Sequence, residues 1–209
     1  MAKRFFETFP ALILEDELKD LFEFAEVTAL KYNRDRTAIH VYLLCRRLIS
    51  KPQIYAVESK IEKQMFPDGD MKIRIFESFS LSEQYTPSYL VDVYKDSLFA
   101  EIKRRSDLDY HILMRADWKV ADDDSLLLTL EDSLWARNRA GELREWIQMV
   151  FYDRCAISIP VAVSFKERDT TAIEEEKKRA EAQAIARIMK ANSVASKEKE
   201  DEFIDTASA

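Results

Sequence analysis

EVTALKYNRDRTAIHVYLL, residues 26–44, decides the fold. Two β-rich runs, Glu26 to Tyr32 and Thr37 to Leu44, flank Asn33-Arg34-Asp35-Arg36, whose residue types favour a turn, so the stretch predicts a hairpin. In the second run Ile39, Val41 and Leu43 alternate with His40, Tyr42 and Leu44, giving two faces of different character. Upstream, Leu14 to Phe24 spaces apolar residues at 14, 18, 21, 22 and 24 and carries acids in its first turn, the pattern of a helix. Downstream, Ser50 is a candidate N-cap and Pro52 suits a first helical turn. That helix directs Ile54, Val57, Ile61 and Met65 inward and stops at Pro67-Asp68-Gly69. MKIRIFESF then alternates Met71, Ile73 and Ile75 against Lys72, Arg74 and Phe76, as a strand does. Residues 1–82 therefore predict a first subdomain of order α-β-β-α-β.

The next 85 residues repeat that order. A helix is expected from about Ser88 to Arg105, with Leu90, Val93, Tyr94, Leu98 and Ile102 on one face, followed by the short helical piece DYHILMRA. Asp117 to Val120 and Ser125 to Leu130 form a second hairpin across Ala121-Asp122-Asp123-Asp124. Asp132 or Ser133 caps a long helix to about Arg154, and ISIPVAVSF supplies the last strand. Both halves place Gln-Met near a helix end and finish on Ser-Phe, 86 residues apart, which suggests an old duplication. The fold class is α+β: two small subdomains, 1–82 and 83–167. Residues 168–209 change texture. EEEKKRAEAQAIARIMKA pairs Glu174 with Lys178 and Glu175 with Arg179 at helical spacing, and KEKEDEFIDTASA has the charge and small residues of a disordered tail. Together they read as a charged helical linker to a further domain.

Composition narrows the chemistry. The chain has 209 residues but 2 glycines, Gly69 and Gly141, where average usage gives roughly fifteen. Phosphate loops, dinucleotide fingerprints and nucleophile elbows need clustered glycines. Gly69 reads as the turn between helix and strand. Gly141 reads as a tolerated or closely packed position within a helix, at a cost of about 1 kcal/mol relative to Ala. His40 and His111 are isolated, and Cys45 and Cys155 form no Cys-x-x-Cys, so multi-histidine and thiolate metal sites are not expected. Hydrophobic residues make up 47%, enough for a core, and a net charge of −7 exerts no global pull on nucleic acid. No apolar run reaches a membrane span and MAKRFFETFP is too short and polar for a secretion signal, so a cytoplasmic location is expected.

Asp122-Asp123-Asp124 offers carboxylates a hard cation prefers, but acids in a hairpin turn ordinarily form the turn itself. His40 and Cys45 lie on one strand, roughly 15 Å or more apart at about 3.3 Å per residue, which rejects a local dyad. His111 has no neighbouring orienter in the sequence. Candidate contacts to nucleic acid or a partner are Arg34, Arg36, Arg46, Arg47, Lys51, Lys60 and Lys63. The four arginines fall at opposite ends of one hairpin, making two patches, and Glu58 and Glu62 interrupt the lysines. Lys103-Arg104-Arg105 sits at a helix C-terminus, where the macrodipole favours cations anyway. The order α-β-β-α-β resembles KH-like modules, whose nucleic-acid grip uses a Gly-x-x-Gly loop. No such loop occurs here, which tilts the reading toward protein docking.

KRFFETFPAL, IYAVESKIEKQMFPDGDMKIRI, FSLSEQYTPSYLVDVYKDSLFAEIK and LEDSLWARNRAGELREWIQMVFYDRCA carry a longer resemblance. In order, over residues 3–185, they resemble the N-terminal region of PolC, the DNA polymerase III α subunit of low-GC Gram-positive bacteria, particularly its clostridial forms. The resemblance implies two small α+β subdomains, the first similar to the C-terminal domain of the clamp-loader τ subunit. It implies a non-catalytic region of a replicative polymerase whose oligonucleotide-binding barrel, PHP domain, exonuclease and Mg²⁺-dependent polymerase core lie elsewhere. No catalytic, metal or cofactor residue carries over to this chain. The implied partners are replisome proteins (clamp-loader τ, the sliding clamp or primosome components), with DNA reached through the parent enzyme and no membrane. A single-stranded nucleic-acid-binding module using the basic residues of the first subdomain stands as the alternative.

Overall fold

Asn33 closes the first hairpin. Its side-chain Oδ1 accepts from the amides of Thr37 and Ala38 at 2.8 and 2.9 Å, while the Arg36 amide donates to the Asn33 carbonyl. The strands it joins are β2 (Glu26–Tyr32) and β3 (Ala38–Cys45), paired antiparallel with a bulge between Val27 and Ala29. The computed structural model describes residues 2–82 and 84–167. The expected linker and tail, 168–209, lie outside the described residues.

Before the hairpin come β1 (Lys3–Arg4), α1 (Phe5–Thr8) and α2 (Asp16–Phe22). The first two were not foreseen from the sequence, because two and four residues are too few to show a period. They are held by aromatic packing: Phe5, fully buried, lies 5.1 Å from Phe9 and 4.8 Å from Phe22 between ring centroids. Helix α2 is shorter than the expected 14–24. Leu14 and Phe24 fall outside it, and Phe24 is exposed.

After the hairpin, α3 (Lys51–Met65) is preceded by Ser50, whose amide and hydroxyl both donate to Gln53 Oε1 at 3.0 and 2.8 Å. It fully buries Ile54, Val57 and Ile61, each worth about 1.5–3 kcal/mol of apolar transfer. Gly69, with φ of 74°, makes the turn that sends the chain back as β4 (Lys72–Phe79). β4 pairs parallel with β3, so the sheet runs β1-β2-β3-β4.

The second half contains α4 (Pro87–Arg105), α5 (Asp107–Met114), β5 (Asp117–Val120), β6 (Leu126–Glu131), α6 (Leu134–Cys155) and β7 (Val161–Lys166). Here too an antiparallel hairpin, β5-β6, is followed by a helix and a strand parallel to the hairpin's second member. The turns match as well. Arg36 and Asp124, each the fourth turn residue, both adopt left-handed backbone, with φ of 54° and 60°. The result is a mixed α+β protein with two small sheets and, among the described residues, six helices. Both halves belong to one compact unit, Met1–Lys166, with one connected core in which α6 of the second half packs on β4 of the first.

Candidate functional site

The strand pattern of β4 places Ile73, Ile75, Glu77 and Phe79 on its buried face. A glutamate in that row is costly unless its charge is met. Glu77 Oε2 lies 2.8 Å from Lys51 Nζ, Tyr94 donates its hydroxyl to Oε1 at 3.0 Å, and Arg154 Nη1 is 3.4 Å from the same oxygen. Arg154 also bonds Tyr94 and Glu101, the latter with Nη2 to Oε1 at 2.7 Å. Five residues from four elements thus converge on one buried ionic cluster: the start of α3 (Lys51), β4 (Glu77), two turns of α4 (Tyr94, Glu101) and the end of α6 (Arg154). Burial, with the Glu77 charge alongside, pushes the Tyr94 hydroxyl well above the usual phenol range, so it serves as a neutral donor.

Above this cluster a cleft of about 340 Å³ opens between α3, α4 and the outer edge of β4. Its walls include Tyr55, Glu58, Arg74, Phe76, Arg104 and Arg105. Glu58, 4% exposed, faces two cations, Arg74 Nη1 at 3.7 Å and Arg104 Nη1 at 3.6 Å. Desolvation raises its pKa despite them and despite the Ile75 amide bonded to it. The Arg104 guanidinium lies over the Tyr55 ring, 3.4 Å from its centroid, and burial pushes the Tyr55 hydroxyl up to about 12. Half of each of the Arg74 and Arg104 side chains remains in solvent, so the mouth of the cleft is cationic. Such an arrangement can hold an anion by charge and hydrogen bonds. It sets up no nucleophile beside a base. The thiols of Cys45 and Cys155 are buried and pushed up to about 12 and about 11 by desolvation, which keeps them protonated and inert.

The residues singled out in the sequence are not brought together. Arg34 and Arg36 are exposed at the hairpin turn. Arg46 and Arg47 are exposed beyond the far end of β3, where Arg46 approaches Glu26 at 3.9 Å and Arg47 lies 5.7 Å from the Phe24 ring centre. Lys60 pairs with Glu15, and Lys63 is exposed near the end of α3. Lys51 needs correction: expected on the surface, it is 5% exposed and spent on Glu77. The sequence placed it correctly at the helix start but gave no sign of the buried anion it meets. Asp123 serves the turn, its Oδ1 accepting from the Ser125 amide and hydroxyl. Among the described residues no group of three or more His, Cys, Asp or Glu is placed to hold a metal ion, and no helix is long and apolar enough to cross a membrane.

Arg74, Phe76 and Arg104 were visible in the sequence, as outward strand residues and as part of a helix C-terminus. What the sequence did not contain was their meeting. It depends on α4 of the second half packing on α3 of the first, which lies along β4.

The class is therefore an α+β protein of two like-connected halves, joined by a buried ionic cluster beneath a cationic cleft. Residues 4–75, the first sheet through the first half of β4, match the family described as DNA polymerase III polC-type N-terminus I. The match covers about a third of the chain. No curated protein matches the chain.

Proposed function

We propose that this chain is a non-catalytic docking region of a PolC-type replicative polymerase, and that it binds another replisome protein by strand addition to β2. The observation that carries the reading is the open edge of that strand. β1 pairs only with Glu26 and Val27, so Thr28 to Tyr32, paired with β3 on their inner side, have no strand on their outer side among the described residues. Leu30 and Tyr32 on it are 48% and 61% exposed. A groove lined by Lys3, Glu7, Thr8 and Val27 to Leu30 continues the line of β1. An extended segment seated there gains main-chain hydrogen bonds and apolar contacts at alternate residues. On this reading each half is a KH-like α-β-β-α-β module, the first also like the τ C-terminal domain. The shared connectivity of the two halves supports it, and the lack of a Gly-x-x-Gly loop favours protein over the usual KH ligand. Template-directed, Mg²⁺-dependent nucleotide addition belongs, in this proposal, to other domains of the parent enzyme.

The test is hydrogen exchange on the purified chain, alone and with clamp-loader τ, the sliding clamp or primosome proteins in turn. One of them is expected to bind and to slow exchange across residues 28–32. Binding to none overturns the docking role; binding with protection confined to other segments overturns the β2 edge. Primer extension by the pure chain overturns the non-catalytic assignment.

A further inference from the structure

The face of the first sheet opposite its core carries an aromatic pair. Tyr42 on β3 and Phe76 on β4 are register partners in the parallel pairing, and their rings stack 5.2 Å apart at 19°. Lys31, from the neighbouring strand β2, places its ammonium 4.9 Å from the centre of the Tyr42 ring. Phe76 stays 47% exposed and also lines the cationic cleft, so the aromatic row runs directly into the cluster of Arg74, Arg104 and Arg105. A phenylalanine on an open sheet face has no core to fill, and its exposure costs apolar transfer energy unless something covers it.

The charges around it decide what does. The chain as a whole carries −7, yet the cleft beside Phe76 is rimmed by arginines. Arg74 and Arg104 share one buried carboxylate, Glu58, and Arg105 makes no ion pair among the described residues. The site is left with an excess of positive charge. An apolar protein segment satisfies the aromatic row and leaves the arginines unmet, and a free phosphate does the reverse. A chain with flat apolar rings on a polyanionic backbone meets both. A duplex hides its rings in the stack, which leaves the single strand.

We propose that Tyr42, Phe76, Lys31, Arg74, Arg104 and Arg105 form a binding site for single-stranded DNA, with a base stacked on Phe76 and the adjoining phosphates held by the cleft arginines. DNA is the strand chosen because residues 4–75 match a family of DNA polymerase N-terminal regions. Phe76 and the cleft arginines lie at the β4 side of the sheet; Lys31 alone belongs to β2, and the site uses none of the arginines of the first hairpin.

Fluorescence anisotropy with a labelled oligothymidylate, using the whole chain, tests it. Binding is expected at low salt and weakens as salt rises, with a log–log slope of about −2 for three neutralised phosphates. Phe76→Ala weakens binding about 5- to 150-fold, while Phe76→Trp retains it. Arg105→Gln, at an exposed position, reduces the slope by about 0.7 and leaves the circular dichroism spectrum unchanged. A competing duplex of the same length displaces the oligomer poorly. No binding at low salt, equal binding by a folded Phe76→Ala variant, or duplex binding as tight as single-strand binding overturns the proposal. A chain that binds a replisome protein through β2 but fails all these arms loses this site and keeps its docking role.

Discussion

Glu58 Oε1 accepts a hydrogen bond from the Ile75 amide at 2.8 Å, and one helical turn away Glu62 Oε1 accepts from Ile73 at the same distance. β4 is the last strand of its sheet, so these amides have no strand to bond. Four residues of helix advance about 6 Å, and two residues of strand about 6.6 Å. A pair of glutamates at i, i+4 on α3 is therefore matched in pitch to alternate amides of β4. One edge of the sheet is sealed by side chains, whereas most of the β2 edge is left open.

Replacing Glu58 by Leu is expected to cost about 1–3 kcal/mol in urea unfolding, because it strands the buried Ile75 amide. Glu58→Gln keeps the acceptor and removes the ionised carboxyl that burial opposes, so its cost is smaller. The double variant Glu58→Leu with Glu62→Leu frees two amides on an edge strand, and sedimentation is expected to show self-association absent from the parent chain.

The Lys51–Glu77 pair makes a second test. Glu77→Leu leaves Lys51 and Arg154 facing each other beside Tyr94, and about 3–5 kcal/mol of stability is expected to go. Lys51→Met costs less, since Arg154 and the Tyr94 hydroxyl still serve Glu77. Combining the two recovers part of the loss. Denaturant midpoints of the three variants check the order, and equal costs for the singles refute the shared-anion arrangement.

These two features mark where sequence reading stops. The hairpins, the helix from Lys51 and the parallel strands were legible because each has its own period and its own turn chemistry, as at Asn33 and Ser50. Glu77 sat in an alternating strand and could be assigned to the inner face by parity. Its cations could not, because Lys51 is 26 residues away and Arg154 belongs to the other half. Arg74 and Arg104 were likewise read one at a time as solvated charges. Only the packing of α4 on α3, which itself lies along β4, brings them together at Glu58. β1 and α1 were missed for a simpler reason: their order comes from Phe5 packing on Phe9 and Phe22, not from a local pattern.

Asp109 gives the protein an acid-sensitive joint between α5 and α6. Its side chain is 1% exposed, and both oxygens accept from Arg139, at 2.8 and 2.7 Å. The Arg139 hydrogen bonds hold its carboxyl below the usual aspartate range. A carboxyl with a folded pKa below its unfolded one contributes stability above the unfolded value, about 3.9, and loses it as pH falls through the folded value. Melting temperature is therefore expected to fall as the solution is acidified below about pH 4. Asp109→Asn is expected to flatten that part of the curve, and an unchanged acid limb refutes the assignment.

Gly141 is not closely packed. A Cβ built there meets nothing within 4 Å, although the residue lies well inside α6. Gly141→Ala is expected to stabilise the chain by about 0.5–1 kcal/mol, through the backbone entropy that glycine gives the unfolded state. Thermal unfolding checks it; a lower melting temperature contradicts an open position.

The two hairpin turns supply a matched pair. Arg36 and Asp124 hold the same left-handed position, which opposes most side chains by about 1–2 kcal/mol, though aspartate tolerates it better than arginine. Glycine removes that strain and loses some of the gain to its freer unfolded state. Arg36→Gly is therefore expected to raise stability by about 0.5–1 kcal/mol, and Asp124→Gly by less. Arg36 lies outside the proposed DNA site, so the oligothymidylate affinity of Arg36→Gly should match that of the parent chain. A several-fold loss in that variant assigns the hairpin turn, and not the sheet face, to the nucleic acid.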